Sequence, residues 1–144
     1  MNASSILRRK GTQVETLRTG ATVGEAAQRL HQRGIGSLVV LGDGGEIVGV
    51  LVERDIVRAL AEHGTNAWAL AAEAVLPRHP ATCKPQDSLE SVMSVMTMRR
   101  SRHLPVLAGE ALVGLVSIGD VVKFRLDELK LEVGVLRDYA RAAR

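Results

Sequence analysis

The apolar positions near the start of the chain recur at two different periods, which predict a helix between strands. A short N-terminal helix is predicted to end at Leu7, and a basic turn follows at residues 8–11. The next helix is predicted to begin after Thr22, which forms a capping box with Glu25, and to end near Gly34. Its apolar side chains recur every three or four residues, at Val23, Ala26, Ala27 and Leu30.

The segments on either side of this helix read as strands. Alternation within residues 12–17 predicts a first strand, and the apolar run 38–41 predicts a second. A glycine-rich turn at residues 42–45 then leads into a returning strand at residues 47–52. A second helix is predicted for residues 53–63. The first half therefore has the order β-α-β-β-α.

The same order returns in the second half of the chain. Thr82 lies 66 residues after Thr16, and the strand and helix that follow keep this offset. The next turn is one residue shorter, so that Asp120 lies 65 residues after Asp55. A constant offset that changes once, inside a turn, indicates an internal duplication. We therefore predict an α/β (α+β) fold of two β-α-β-β-α repeats, packed about a pseudo-twofold axis.

This duplication divides the chain into a first repeat at residues 6–64, a connector at 65–79, a second repeat at 80–128 and a C-terminal helical extension at 129–144. A heptad seam runs into the extension, where apolar residues alternate in steps of four and three: Val122, Leu126, Leu129, Val133, Leu136 and Ala140. The seam either covers the chain's own core or pairs with a second chain. Gly134 weakens a long straight helix at this point.

Composition limits what these elements can build. The chain has 144 residues, 46% of them hydrophobic, with one Trp, one Tyr and one Phe, so the core must be aliphatic. Apolar runs are too short to span a membrane, and the N-terminus lacks the apolar region of a secretory signal. A single cysteine suits a reducing compartment, so we expect a cytoplasmic protein. The net charge of +3 permits anionic ligands but is far from the dense basic patch of a dedicated nucleic-acid binder.

The doubled pattern resembles a pair of cystathionine-β-synthase (CBS) domains, or Bateman module, as found in small stand-alone bacterial proteins. The motifs that carry the resemblance lie at residues 35–40 and 49–55 of the first half, and at 102–106 and 114–120 of the second. The resemblance implies adenosine-nucleotide binding in clefts between the repeats, without catalysis. It also implies a homodimer, joined through the faces of the repeats and the C-terminal helix, that signals to an unidentified regulated protein.

The strongest candidate ligand residues lie where the second repeat's last strand meets its last helix. The Asp120 carboxylate can accept both cis hydroxyls of a ribose. Ser117 marks the helix N-terminus, where free N–H groups can bind a phosphate. The same two residues also fit an ordinary capping box. In the first repeat Asp55 is retained, but Val52 replaces the serine; a surface salt bridge from Asp55 to Arg58 or Arg54 is the alternative there.

Further candidates would neutralise the phosphate and hold the base. The cations are Arg58, Lys123, Arg100, Arg102 and His103, and the resemblance places Arg102 and His103 in the second cleft. The apolar slot for adenine is assigned to Val14 and Thr16 in the first half and to Thr82, Cys83, Leu104 and Pro105 in the second. The four histidines show no metal-ligand spacing, and we expect neither a metal site nor enzymatic activity.

These observations favour a regulatory module that binds AMP, with ATP, ADP and NAD(H) as the other candidate ligands. Two clefts that each contain an aspartate could also share one dinucleotide. The alternative is a structural dimerisation module, or an accessory protein that binds nucleic acid through its basic N-terminal turn and the seam.

Overall fold

The computed structural model describes residues 1–77 and 79–143. Arg78 of the predicted connector and Arg144 of the predicted extension lie outside the described residues. The elements follow the chain in this order: α1 (Ala3–Lys10), β1 (Thr16–Arg18), α2 (Val23–Arg33), β2 (Ser37–Leu41), β3 (Ile47–Val52), α3 (Glu53–His63), the 3-10 helices Gly64–Ala69 and Ala72–Val75, α4 (Leu89–Met98), β4 (His103–Ala108), β5 (Ala111–Ser117) and α5 (Ile118–Ala142). The predicted α/β order, its repetition and the long C-terminal helix are confirmed.

Each repeat is organised around an antiparallel hairpin. In the first repeat β2 pairs with β3, with Leu38 opposite Leu51, and β1 adds a parallel strand on the other side of β2. In the second repeat β4 pairs with β5, with Leu104 opposite Val116. All four of these leucine and valine side chains are buried. The hairpins therefore present equivalent apolar residues to the core of each half.

The first strand of each repeat is shorter than the sequence predicts. In the first repeat it covers Thr16–Arg18, so the prediction of a strand from residue 12 is wrong. In the second repeat the predicted strand is reduced to one parallel bridge between Cys83 and Val106. Pro80 and Pro85 lie on either side of Cys83, and proline has no N–H with which to extend a ladder.

The apolar core forms two clusters, and α1 belongs to the one built by the second repeat. Its side chains Ala3, Ile6 and Leu7 are buried among residues of α4, β4, β5 and the start of α5. Gly114 permits this approach, since a Cβ there would lie 2.5 Å from Cδ2 of Leu7. The equivalent Gly49 of the first repeat would meet Leu76, just after the second 3-10 helix, at 2.9 Å. Helix α1 and the connector therefore occupy corresponding places in the two halves.

Helix α1 also extends further than the sequence predicts. An Asn2–Ser5 capping box begins it, and its last turn contains Arg8, Arg9 and Lys10, which were expected in a turn. Cations are favourable there because they oppose the negative end of the helix dipole. Gly11, with φ of 99°, ends the helix.

The C-terminal helix α5 runs for 25 residues and extends beyond the body of the protein. Val121 and Phe124 are buried near its start. The six seam residues face away from the core: Val122, Leu126, Leu129, Val133 and Leu136 are 46–67% exposed, and Ala140 is also exposed. The seam therefore does not cover the chain's own core.

Replacing Gly134 with Ala should stabilise the extension by about 1 kcal/mol, because glycine loses more backbone entropy than alanine in a helix. The added methyl group meets no atom within 4 Å, so it introduces no clash. The expected result is slower amide hydrogen exchange in residues 130–140. Lys130→Arg is the control, since it changes helix propensity little. Equal exchange in Gly134→Ala and the unmodified protein would contradict the prediction.

Candidate functional site

A cleft of about 620 Å³ lies between the two repeats. This volume is typical of sites that bind small molecules. One wall is formed by β3 and the start of α3 in the first repeat. The opposite wall is formed by residues 79–81 and by residues 99–103, which join α4 to β4. Both halves of the duplication therefore contribute to one site.

Asp55 lies in the first-repeat wall and is 3% exposed. Its Oδ2 accepts a hydrogen bond from the Val52 N–H at 2.9 Å, and its Oδ1 accepts one from Nη2 of Arg58 at 3.0 Å. The same Arg58 nitrogen donates to the Val75 carbonyl at 2.8 Å. The alternative of a salt bridge to Arg58 is thus correct in its partners; Asp55 is buried, whereas the Arg58 side chain is 43% exposed. The lone pairs of the carboxylate allow further hydrogen bonds, although only 4% of the Asp55 side chain is exposed.

The side chains around the cleft are predominantly basic. Two are acidic, Glu53 and Asp55, whereas five are arginines: Arg54, Arg58, Arg99, Arg100 and Arg102. Guanidinium groups bind phosphate by paired, charge-assisted hydrogen bonds. The excess of positive charge therefore favours an anionic ligand. The apolar lining is small and aliphatic, and includes Val50, Val52, Pro77, Pro80 and Ala81.

Unusual backbone geometry also occurs at this cleft. His79 has φ of 58° and Arg100 has φ of 50°, and both residues line it. Residues other than glycine rarely adopt this left-handed conformation, and such strain concentrates at ligand sites. An Arg99 guanidinium N–H donates to the His79 carbonyl, which ties the two strained segments together. Nothing in the sequence signals these two conformations, because neither residue is a glycine or asparagine.

His103 lies at the edge of the cleft with a buried Nδ1. Within the described residues this nitrogen has no hydrogen-bond partner. Burial lowers the pKa of His103 below the usual 6.5, and the Lys10 and Arg102 cations lower it further. The imidazole is therefore neutral at pH 7, and one of its nitrogens can accept a hydrogen bond from a ligand.

Asp120 lines a different and smaller depression. Its Oδ2 accepts hydrogen bonds from Nζ of Lys10 at 2.7 Å and from the Ser117 N–H at 2.9 Å. The Asp120 N–H donates to Oγ of Ser117 at 3.1 Å, which completes the capping box. Partial burial raises the pKa of Asp120, but the Lys10 and Ser117 bonds outweigh it and hold the pKa below its usual 3.8. Lys10 also donates to the Leu115 carbonyl at 2.9 Å.

The groove that contains Asp120 has a volume of about 110 Å³, which is small for a nucleoside. Lys123 lies in the same groove, with Arg9 and Phe124. Arg102 and His103 were expected in a cleft with Asp120, but they line the larger cleft with Asp55. His103 also pairs with Ser117 across β4 and β5, and the Ile118 N–H donates to the Arg102 carbonyl at 2.8 Å, so both residues lie beside the Asp120 turn as well. Their place in a site with Asp120 stays a prediction.

The residues expected to hold adenine lie outside the large cleft. Thr16 lines a separate surface groove with Arg18 and Arg29, and Val14 precedes β1. Leu104 and Pro105 are buried within β4. Their place in the cleft is taken by Val50, Val52, Pro80 and Ala81, which the sequence reasoning missed. Pro80 and Ala81 immediately precede Thr82, so the cleft lies next to one of the predicted adenine residues. The adenine assignment stays a prediction.

Cys83 is 3% exposed, and burial raises the pKa of its thiol to about 11. A thiol with this pKa is a weak nucleophile at neutral pH. Across residues 1–77 and 79–143, no group of three His, Cys, Asp or Glu side chains could hold a metal ion. Over the same ranges, no helix is both long enough and apolar enough to cross a membrane.

Comparison with known proteins also gives two repeats in tandem. The CBS domain family model matches residues 4–62 and 72–127. The mitochondrial CBS domain-containing protein CBSX3 of Arabidopsis thaliana is 30% identical over 125 residues, which are 84% of this chain and 61% of that protein. The chain thus spans less than two thirds of the plant protein's length.

Solved structures have the same fold. The CBS-domain containing protein ATU1752 from Agrobacterium tumefaciens is 35% identical, with a TM-score of 0.82 over 86% of this chain and 92% of that one. The CBS domain pair of protein MJ0100, solved with 5′-methylthioadenosine and S-adenosyl-L-methionine, has a TM-score of 0.78 at 22% identity, over 89% of this chain and 98% of that one. The present chain belongs to the CBS domain family and contains two CBS domains in tandem.

Proposed function

We propose that this protein is a regulatory module that binds an adenosine nucleotide in the cleft between its two repeats. The observation that carries the proposal is the cleft of about 620 Å³, which is lined by a buried aspartate and five arginines. The adenosine compounds bound to the MJ0100 domain pair support the same ligand class. A nucleotide also matches the chemistry of the cleft, which combines an acceptor for hydroxyls, cations for phosphate and a small apolar lining.

Each part of the ligand has a counterpart in the cleft. The free acceptor positions of Asp55 would bind the ribose hydroxyls. Arg100 and Arg102, on the opposite wall, would bind the phosphate. The adenine ring would lie between aliphatic side chains, with Val52 on one side and Pro80 on the other. This arrangement differs from the sequence-based one, in which Asp120 was the principal ribose ligand.

AMP is the proposed ligand because a ribose and one phosphate are the smallest set of groups that uses both walls. ATP, ADP and NAD(H) carry the same adenosine and more negative charge, which the five arginines also accommodate. Binding would draw residues 99–103 toward α3 and stabilise one arrangement of the two repeats over another. The regulated protein would recognise that arrangement. The cytoplasmic location remains a prediction that rests on the single, buried cysteine.

We further propose that the protein acts as a homodimer, to which the faces of the repeats and α5 contribute. Val57 of α3 is 64% exposed, and Val122, at the equivalent position of α5, is 50% exposed. Exposed aliphatic residues at corresponding places in both halves suit a contact between two copies of a pseudo-symmetric chain.

Replacing Arg102 with Gln should weaken AMP binding about tenfold or more, because a charge-assisted hydrogen bond to phosphate contributes roughly 1.5–3 kcal/mol. Arg102 is exposed, so we expect the fold to be unaffected. The measurement is the AMP dissociation constant by calorimetry, with the rise in melting temperature as a second readout.

Lys123→Gln is the matched control, since it removes one positive charge from the groove of Asp120 instead of the large cleft. Its AMP affinity should remain close to that of the unmodified protein. Equal losses in both variants would show a response to net charge alone. A loss confined to Lys123→Gln would move the site to Asp120, as the sequence first suggested.

A further inference from the structure

We propose that the exposed seam of α5 pairs, in parallel, with the seam of a second copy of this chain. The proposal rests on the homodimer proposed above and specifies which surface joins the copies and in which direction. It does not depend on whether the cleft binds a nucleotide.

The second half of α5 needs a partner. From Leu129 to the end of the helix, every residue is exposed apart from the half-buried Gly134. An isolated helix of this length is marginally stable in water. Five large aliphatic side chains of the seam are also exposed, whereas monomeric proteins rarely expose continuous apolar surface of this kind.

The seam is distinguished from the other exposed apolar residues of α5. Leu131 and Val135 continue the side of the helix that Val121 and Phe124 bury against the body. The seam instead begins on the body itself, where Val122 and Leu126 are already half exposed on the outer side of α5. It is therefore a single stripe that reaches from the body to the end of the helix, which a second seam can cover along its full length.

The charges beside the seam disfavour antiparallel pairing. One flank carries Lys123, Lys130 and Arg137, and the other carries Arg125, Glu132 and Tyr139. Antiparallel helices bring equal flanks together. At full overlap Lys130 would face Lys130 of the second copy, Lys123 would face Arg137, and Glu132 would face Glu132. All of these are contacts between like charges, which are unfavourable.

Parallel pairing brings opposite flanks together. Glu132 of each chain then faces Arg137 of the other, so symmetry produces two attractive pairs. Symmetry also produces two repulsive pairs, in which Arg125 of each chain faces Lys130 of the other. The charge of Arg125 is already partly compensated, because its Nη1 lies 3.4 Å from Glu128 and 3.7 Å from Glu90 of its own chain. The charge pattern thus selects the parallel self-pair.

Ala140→Cys tests both the partner and the direction. In a parallel pair the two cysteines lie opposite one another within disulfide range. In an antiparallel pair residue 140 faces residue 122, so the two cysteines are about 27 Å apart at 1.5 Å per residue. Ala142→Cys is the matched control, because residue 142 lies on the side of α5 opposite the seam. The native Cys83 is buried and serves as the background in both variants.

The expected result is a covalent dimer from Ala140→Cys under mild oxidation, at least tenfold more than from Ala142→Cys. Equal yields from both variants would overturn the proposal, since they indicate random collision. A dimer in sedimentation without cross-linking of Ala140→Cys would overturn parallel pairing and leave the homodimer standing. A monomer in sedimentation would overturn both, and the seam would then be free for another protein. Loss of AMP binding affects none of these outcomes.

Discussion

Arg58→Met should lower the free energy of unfolding by about 2 kcal/mol, because the buried Asp55 carboxylate loses its charge-assisted hydrogen bond, although Arg58 itself is 43% exposed. The Asp55 side chain is 4% exposed, and its Oδ1 lies 3.0 Å from Nη2 of Arg58, its cationic partner. Methionine keeps most of the volume of the arginine stem but supplies no donor. Both Asp55 and the Val75 carbonyl then lose a hydrogen bond. The measurement is a denaturant titration with and without AMP.

The matched control for Arg58→Met is Arg54→Met, four residues earlier on the same helix. Arg54 is exposed and lines the same cleft, so its loss should change the free energy of unfolding by no more than about 0.5 kcal/mol. A double variant, Asp55→Asn with Arg58→Met, should be more stable than Arg58→Met alone, because no unpaired charge is left buried. If Arg58→Met and Arg54→Met have equal stability, Asp55 does not depend on Arg58.

The local parts of this architecture could be predicted from the sequence. Ser117 and Asp120 form a capping box through bonds that span three residues, and Thr22 and Glu25 do the same. Interactions of this range are fixed by neighbouring residue types, so a motif is enough to identify them. The repeat offset identified the duplication for the same reason, because each half repeats the same local signals.

The site itself could be predicted only in part, because it depends on contacts between distant residues. The two aspartates look alike in sequence, and Asp120 has the more complete motif. Asp120 differs from Asp55 in its cationic partner, which is Lys10. This lysine lies 110 residues away in the sequence and reaches Asp120 because α1 packs on the second repeat. No periodicity within a single repeat indicates that the N-terminal helix crosses to the other half.

The position of the cleft follows from the same long-range packing. Its walls belong to two different core clusters, so its shape depends on how the two clusters are held together. The chain passes between the two clusters at two places. Helix α1 packs in the second cluster and leads directly to β1 in the first, and the connector later leads from the first repeat into the second. A ligand that contacts both walls would therefore act on the relation between the two halves, as expected of a regulatory module.

Leu104→Ala should lower the free energy of unfolding by about 3–5 kcal/mol, since truncating a buried leucine loses apolar burial and leaves a cavity. Leu104 is fully buried in the second core cluster. The chain's one tryptophan, Trp68, lies in the connector that packs on the first repeat, beside Gly24 of α2. Its fluorescence therefore reports on the half of the protein that does not contain the substitution.

We expect the Trp68 transition to move to lower denaturant together with the loss of helical circular dichroism, because unfolding of the second cluster releases α1 and one wall of the cleft. Leu38→Ala, the equivalent change in the first cluster, should shift both signals in the same way. Coincident transitions indicate one cooperative unit. If Leu104→Ala leaves the Trp68 midpoint unchanged while the dichroism shows two steps, the halves unfold independently, and coupling of ligand binding to their arrangement loses its structural basis.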